Sequence, residues 1–252
     1  MSRLSFKTWL RPARTHRKEL LDVPDVPVRE LRGNLGDLQW LNRYLGSQWV
    51  VLAALRRLWR YAGCPKSWRI LDVGTGAGDI PAALMRWGQS QGVHLTAVAI
   101  DNHWQVMQYA RAVLQPSPAL AVLLADGLQL PFRARTFDVV VCSTMLHHLE
   151  WQEGIALLRA MAAVARYGVV VNDLVRSWPH YYGAKLLISV LSRNRLTRHD
   201  GPLSVLRAYS VGEVRDMAHA AGLAGARVHT VLTYRLLLVY TLPTGRRQAY
   251  DA

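Results

Sequence analysis

The chain has 252 residues, half of them hydrophobic, with two cysteines and a formal charge of +14. That length suits one domain with an appendage and a sizeable core, which excludes general disorder outside the ends. Cys64 and Cys142 exclude a disulfide framework or a cysteine metal cluster, and a reducing cytoplasm is the expected setting. The longest apolar stretches, 184–191 and 236–240, are too short to span a bilayer, and the basic start Met1–Pro12 lacks the apolar segment of a secretory signal. The charge is largely arginine, with pairs at Arg56-Arg57 and Arg246-Arg247 and singles at Arg193, Arg195 and Arg198. It has three readings: charge spread over solvated faces, attraction to an anionic membrane surface, or attraction to nucleic acid.

In chain order, Met1–Arg32 is polar, basic and punctuated by Pro12, Pro24 and Pro27, and is expected to form an arm that is partly ordered at best. Gly33-Asn34-Leu35-Gly36 predicts a turn, with Asp37 capping a helix over Leu38–Tyr61. Along that helix Leu41, Leu45, Trp49, Leu52, Leu55 and Trp59 recur at steps of three and four. It reads either as an amphipathic cap lying on the main domain or as a membrane-facing helix anchored by tryptophan.

After Gly63-Cys64-Pro65 an alternating unit begins. Strands are predicted at Trp68–Val73, Leu95–Ile100, Leu120–Leu124, Phe137–Ser143 and Gly168–Val171. Helices are predicted at Ile80–Gly88, Trp104–Leu114 and Trp151–Ala165, with a loop over Gly127–Arg135. Such alternation specifies a parallel sheet covered on both faces. An aromatic and basic insert, 172–209, interrupts the rhythm. A helix over Val211–Ala221 follows, capped by Ser210, and two strands, Ala226–Leu232 and Tyr234–Leu242, close the chain as an antiparallel pair. The predicted fold class is α/β: a doubly wound, seven-stranded, mostly parallel sheet with an antiparallel last strand, an N-terminal helical cap over 1–65, a main domain over 66–252 and a lid insert after strand five.

The sharpest chemical signal is Arg69–Asp79, R-I-L-D-V-G-T-G-A-G-D. An apolar strand end runs into Gly74, Gly76 and Gly78, and a helix opens at once with Pro81 in its first turn. Glycines there let a ligand approach the backbone, and the helix start offers N–H groups. The dinucleotide pattern G-x-G-x-x-G wants its last glycine where Asp79 stands, and no lysine follows Gly78 as a phosphate-binding loop requires. Asp72 beside the loop suits a cationic or amine-bearing ligand better than a pyrophosphate.

With these positions in order, the chain resembles the class I S-adenosylmethionine-dependent methyltransferases from about Trp68 to Leu242. The resemblance rests on L-D-V-G-T-G-A-G-D at 71–79, A-V-A-I-D-N at 97–102, A-D-G-L-Q-L-P-F at 125–132, F-D-V-V-V-C-S-T-M-L-H-H-L at 137–149 and the closing helix and hairpin. It implies S-adenosylmethionine as cofactor and S-adenosylhomocysteine as product. The loop Gly74, Thr75, Gly76 and Gly78 would pass under the methionine and ribose. Asp72 would accept from the amino group, Asp101 would hold the ribose hydroxyls, and Asn102 would lie against the adenine. Asp126 would accept from the adenine amino group, the Gly127 backbone would serve a ring nitrogen, and Ser143 with Thr144 would face the ligand crevice.

Methyl transfer from a sulfonium needs alignment first and a base only for a protic acceptor. His147 and His148 follow the fourth strand and are the candidate catalytic residues; one of them packing and the other exposed is the plain structural reading. His199-Asp200 is a second candidate pair, or a hydrogen bond that orders its loop. No [DNS]-P-P-[YFW] follows strand four, which argues against amino-group methylation of adenine or glutamine. Asn172-Asp173 lacks the acidic partner of the magnesium-dependent catechol type, so no metal is expected. The L-H-H-L element and the insert, with Trp178, His180, Tyr181, Tyr182 and Lys185, look most like quinone-biosynthesis and other small-molecule methyltransferases. The expected partner is a small apolar or phenolic acceptor, with contact to an anionic membrane surface as an addition. An RNA methyltransferase and a non-catalytic cofactor-binding scaffold are the rival readings.

Overall fold

The computed structural model describes residues 11–22, 26–231 and 234–243. Seven strands form one sheet: β1 (Ser67–Val73), β2 (His94–Asp101), β3 (Leu120–Leu124), β4 (Phe137–Ser143), β5 (Ala165–Leu174), β6 (Arg227–Val231) and β7 (Arg235–Thr241). Their order across the sheet is β3-β2-β1-β4-β5-β7-β6. The first five are parallel, while β7 runs antiparallel to β5 and to β6. The strand order reverses between β1 and β4, so a crevice opens at their carboxyl ends, where sheets of this kind take ligands.

The strands alternate their apolar residues between two faces, as a period of two demands. Leu71, Val73, Val140, Cys142 and Val171 pack under helices α5 (Trp151–Val164) and α8 (Val211–Ala220). Trp68, Ile70, Val139, Val141 and Val170 pack under α2 (Ser47–Tyr61) and α3 (Asp79–Ser90). Helix α4 (Trp104–Leu114) covers β2 and β3 through Met107 and Ala110. On α2, Val50, Val51, Ala54, Leu55 and Leu58 are all buried, so this helix is a full layer of the core. A Cβ on Gly168 of β5 would stand 2.9 Å from Leu58 Cδ1, so the glycine admits the helix at that contact.

The structure corrects the N-terminal expectations. Gly33–Gly36 is not a turn: α1 runs from Val28 to Tyr44 straight through it. Leu31 and Leu35 bury against Ala77, Val106 and Leu196, and that burial outweighs the weak helix preference of glycine. Gly33 has a packing reason, since a Cβ there would come within 2.7 Å of Asn194 Nδ2. Asp37 accordingly lies inside α1 and caps nothing, and its carboxylate accepts from Ser192 and Thr197. The helix expected over Leu38–Tyr61 breaks at Gly46, whose φ of 85° starts α2.

Residues 11–22 of the arm are anchored along the chain's later helices. Thr15 N donates to Leu206 O, and Leu20 N and Leu21 N donate to the Asp200 carboxylate. The insert holds α6 (Trp178–Leu191) and α7 (Arg195–Arg207), and its first three residues, Asn172, Asp173 and Leu174, belong to β5. The expectations for residues 1–10 and for Pro24, Leu232 and Arg246-Arg247 lie outside the described residues.

Candidate functional site

At the tip of β1 the backbone turns through three left-handed glycines, Gly74 (φ 69°), Gly76 (φ 52°) and Gly78 (φ 77°). Thr75 N donates to Ile100 O at 2.9 Å, tying the loop to the end of β2. Gly76 N donates to Asp101 Oδ2 at 3.0 Å and His103 N to Asp101 Oδ1 at 3.0 Å. Each oxygen of Asp101 thus keeps an acceptor position for a hydroxyl pair. Burial raises its pKa, and the two backbone donors oppose that shift.

Gly74 meets Met145 so closely that a Cβ would stand 2.6 Å from its Sδ. The backbone angle alone makes Gly74→Ala cost about 1–2 kcal/mol, with the contact added. Its melting temperature is expected to fall, while Gly36→Ala, on the open face of α1 with nothing within 4 Å, is expected to match or exceed the parent. Gly127 is equally constrained, because a Cβ would lie 2.7 Å from Val73 Cγ1.

Asp72 is 1% exposed, and neither carboxylate oxygen has a hydrogen-bond partner; the buried Thr75 hydroxyl beside it has none either. Burial pushes the Asp72 carboxyl up to about 8, with Thr75 opposing and the charges of Asp79 and Asp101 adding to the rise. A raised carboxyl takes up a proton on folding, so its stabilising protonated form is complete at low pH and lost as pH rises through about 8. Asp72→Asn is therefore expected to melt like the parent at pH 4 and above it at pH 8.5, as thermal scans at the two pH values would show.

Asp79 opens α3 and is buried, which raises its pKa; Gln48 Nε2 and Asn42 Nδ2 donate to it at 3.4 Å. Gln39 Nε2 donates to Ala77 O at 2.9 Å, so α1 and α2 steady the far side of the loop. Arg235 at the start of β7 is buried, donates to Asn42 Oδ1, and leaves Nη1 without a partner. This residue escaped the sequence reading, which treated the last hairpin as fold only.

The remaining expected positions divide. Asn102 is exposed at the end of β2. Asp126 is exposed and its Oδ1 accepts from Leu128 N at 2.9 Å, an Asx turn that leaves Oδ2 unengaged by that bond. Ser143 is buried and its hydroxyl is engaged with Ser47 Oγ at 3.2 Å and Asn172 Nδ2 at 2.9 Å, on the side of α2. Thr144 holds a left-handed φ of 53° and donates its N–H to Asn172 O.

His147 and His148 stand together in a 3-10 turn, Leu146–His148, at the carboxyl end of β4, with ring centroids 4.3 Å apart. His147 is 3% exposed, its N–H donates to Asp173 Oδ2 at 3.0 Å, and its Nδ1 lies 2.6 Å from Asp173 Oδ1. His148 Nδ1 lies 2.8 Å from Asp22 Oδ1. Burial alone would lower the His148 pKa, but the Glu19 charge and the Asp22 hydrogen bond lift it to about 9. Glu19 on the arm is 4% exposed and faces both rings. Arg207 closes the group, donating to Asp22 Oδ2 at 2.7 Å, to His148 O at 2.8 Å and to His147 O at 3.3 Å. Sequence reasoning missed Glu19, Asp22 and Arg207, and Asp173 as a partner of His147. The pair His199-Asp200 is engaged elsewhere: His199 Nδ1 lies 2.7 Å from Asp200, whose carboxylate anchors the arm's backbone.

Comparison with known proteins finds relatives of this fold. Residues 70–168 match a family described as a methyltransferase domain. A demethylmenaquinone methyltransferase of Roseiflexus sp. (strain RS-1) is 29% identical over 140 residues, covering 52% of this chain and 55% of that protein. The chain thus spans about half the length of the curated relative it matches. Magnesium protoporphyrin IX methyltransferase from Synechocystis PCC 6803, solved with SAH, superposes with a TM-score of 0.55 at 18% identity, over 86% of this chain and 98% of the other. The plantazolicin methyltransferase BpumL, also with SAH, gives 0.62 at 12% identity, over 86% and 95%. At such identities these two superpositions speak for the fold. In its matched segment, its sheet order and its glycine loop, the chain resembles the class I S-adenosylmethionine-dependent methyltransferases.

Proposed function

We propose that the chain is a methyltransferase that uses S-adenosylmethionine to alkylate oxygen or carbon of a small apolar or phenolic acceptor. The supporting observation is the buried, unpartnered carboxylate of Asp72 beside the glycine loop, across from Asp101. A buried carboxylate without a partner wants a cationic donor, and an amino group supplies one. When bound, S-adenosylmethionine supplies an electrophilic methyl group on sulfur. Gly74, Thr75, Gly76 and Gly78 would let the amino-acid and ribose portions lie on the backbone. Asp101 would accept from the ribose hydroxyls. Asn102, the free side of Asp126 and the Gly127 backbone would bound the adenine. Arg235, with its unmatched Nη1, would take the carboxylate. Ser143 would contribute by locking the end of β4 to α2 and β5.

Alignment of acceptor and methyl group is the main task left to the chain, and it can supply about 7–11 kcal/mol of barrier reduction. His147 and His148 are the side chains assigned to the acceptor's oxygen. The L-H-H-L turn and the distant demethylmenaquinone relative favour a quinone-like ring. Tritiated-methyl transfer to a total extract, split into RNA, protein and organic-soluble fractions, tests this reading. Label in the organic fraction is expected; label confined to RNA overturns the acceptor class.

Among the described residues no helix is long and apolar enough to cross a membrane. Helix α6 nevertheless exposes Tyr182, Leu186 and Val190 at steps of four, with Leu191 beside them. With the chain's positive charge, this stripe supports peripheral contact with an anionic membrane, where ring-bearing lipids reside. Leu186→Glu with Val190→Glu is expected to abolish flotation with phosphatidylglycerol vesicles and leave the melting temperature within a few degrees of the parent.

A further inference from the structure

Three polar groups from distant parts of the chain converge beside β4: Glu19 of the arm and the adjacent His147 and His148. His147 Nε2 lies 3.6 Å from Glu19 Oε1, and His148 Nε2 lies 3.7 Å from Glu19 Oε2. One ligand atom from each of the three lies within 4.8 Å of the others. Both separations to Glu19 are too long for hydrogen bonds. They are close to the spacing of ligands about 2.0–2.1 Å from a common tetrahedral ion, which is roughly 3.3 Å.

The outer nitrogens strengthen the point. Nδ1 of each ring is occupied by a carboxylate, Asp173 for His147 and Asp22 for His148. That pairing fixes each ring with Nε2 directed at Glu19, and a carboxylate behind the imidazole is the usual support of a metal-binding histidine. Three carboxylates, Glu19, Asp22 and Asp173, surround the two rings, and of these Asp22 alone is paired with the Arg207 guanidinium.

We propose that Glu19, His147 and His148 bind a divalent transition-metal ion of the zinc class through Glu19 Oε and the two Nε2 atoms. Two nitrogens and one carboxylate suit zinc and leave at least one coordination position open. An oxygen ligand fills such a position; that this oxygen belongs to the methyl acceptor rests on the proposed methyl transfer, whereas the ion site does not. The sequence pattern predicted no metal because it was searched for clustered carboxylates, and Glu19 lies 128 positions before His147.

The test uses the full chain, stripped with chelator, in a Cys64→Ser background so that the exposed thiol cannot compete. Calorimetric titration with Zn²⁺ and visible spectroscopy with Co²⁺ are read beside S-adenosylhomocysteine binding on the same samples. One equivalent of Zn²⁺ and Co²⁺ ligand-field bands are expected. Glu19→Gln should weaken Zn²⁺ at least ~100-fold, and Asp22→Asn, behind His148, by about 10–100-fold. Stoichiometric uptake that neither Glu19→Gln nor His148→Ala alters places the ion elsewhere and overturns the site. Failure to take up Zn²⁺ with S-adenosylhomocysteine still bound overturns the ion alone. Uptake of Zn²⁺ without nucleoside binding upholds the ion site and removes the methyltransferase reading.

Discussion

Asp101→Ala is expected to weaken S-adenosylhomocysteine binding by on the order of 100-fold or more. Two hydroxyl donors to a carboxylate contribute about 1.5–3 kcal/mol each, and roughly 1.4 kcal/mol is a factor of ten. The substitution also strips Gly76 N and His103 N of their acceptor, so the loop loses one of its two ties to β2, the bond from Thr75 N to Ile100 O remaining. Isothermal calorimetry on parent and variant reads the loss, with a thermal scan to confirm that the variant folds. Affinity within a few-fold of the parent would show that Asp101 holds the loop and no sugar. Asp101→Asn separates the two roles, because its amide oxygen still accepts from one backbone donor while its charge is gone.

Arg207→Ala is expected to destabilise the chain by about 3 kcal/mol, the lower end of the range for breaking a buried ion pair, since Asp22 is partly exposed. Against a total of about 5–15 kcal/mol this is a large fraction. Arg207 is 4% exposed and its fork reaches Asp22, Arg17 O, His147 O and His148 O, all of which are left short when it goes. Urea denaturation should show a lower midpoint. Arg207→Lys keeps the charge and loses the fork, so it should recover only part of the difference. A midpoint unchanged in the alanine variant would mean that the arm's other anchors, among them Thr15 N to Leu206 O and the Asp200 carboxylate, hold it without Arg207.

The parallel sheet and its ligand loop could be read from the sequence because their signals are local. Each apolar run lies within a few positions of its own marker, Asp72 and the spaced glycines at the end of β1 and Asp101 at the end of β2. The helix through Gly33–Gly36 could not be read, because its cause is burial of Leu31 and Leu35 against residues far along the chain. Two glycines within four residues otherwise signal a turn. The histidines were found by their place after strand four, yet their partners were not. Asp22 and Glu19 sit in a proline-punctuated polar stretch that carries no periodicity, and Asp173 stood in what read as the start of an insert. Ser143 shows the opposite error: a crevice position on the strand was legible, but the direction of its hydroxyl depends on Ser47 and Asn172.

The anchoring of the arm has a kinetic consequence. Arg14 Nε donates to Arg207 O across 193 positions, and Thr15, Leu20 and Leu21 bind the same distant helix. The arm is synthesised before α7, so these residues wait until that helix has left the ribosome before they find partners. Loop closure over such separations is slow relative to the nearby strand pairings. The parallel strands β1–β5 and the glycine loop can therefore assemble while His147 and His148 still face water, and the arm, though made before α7, docks only after it.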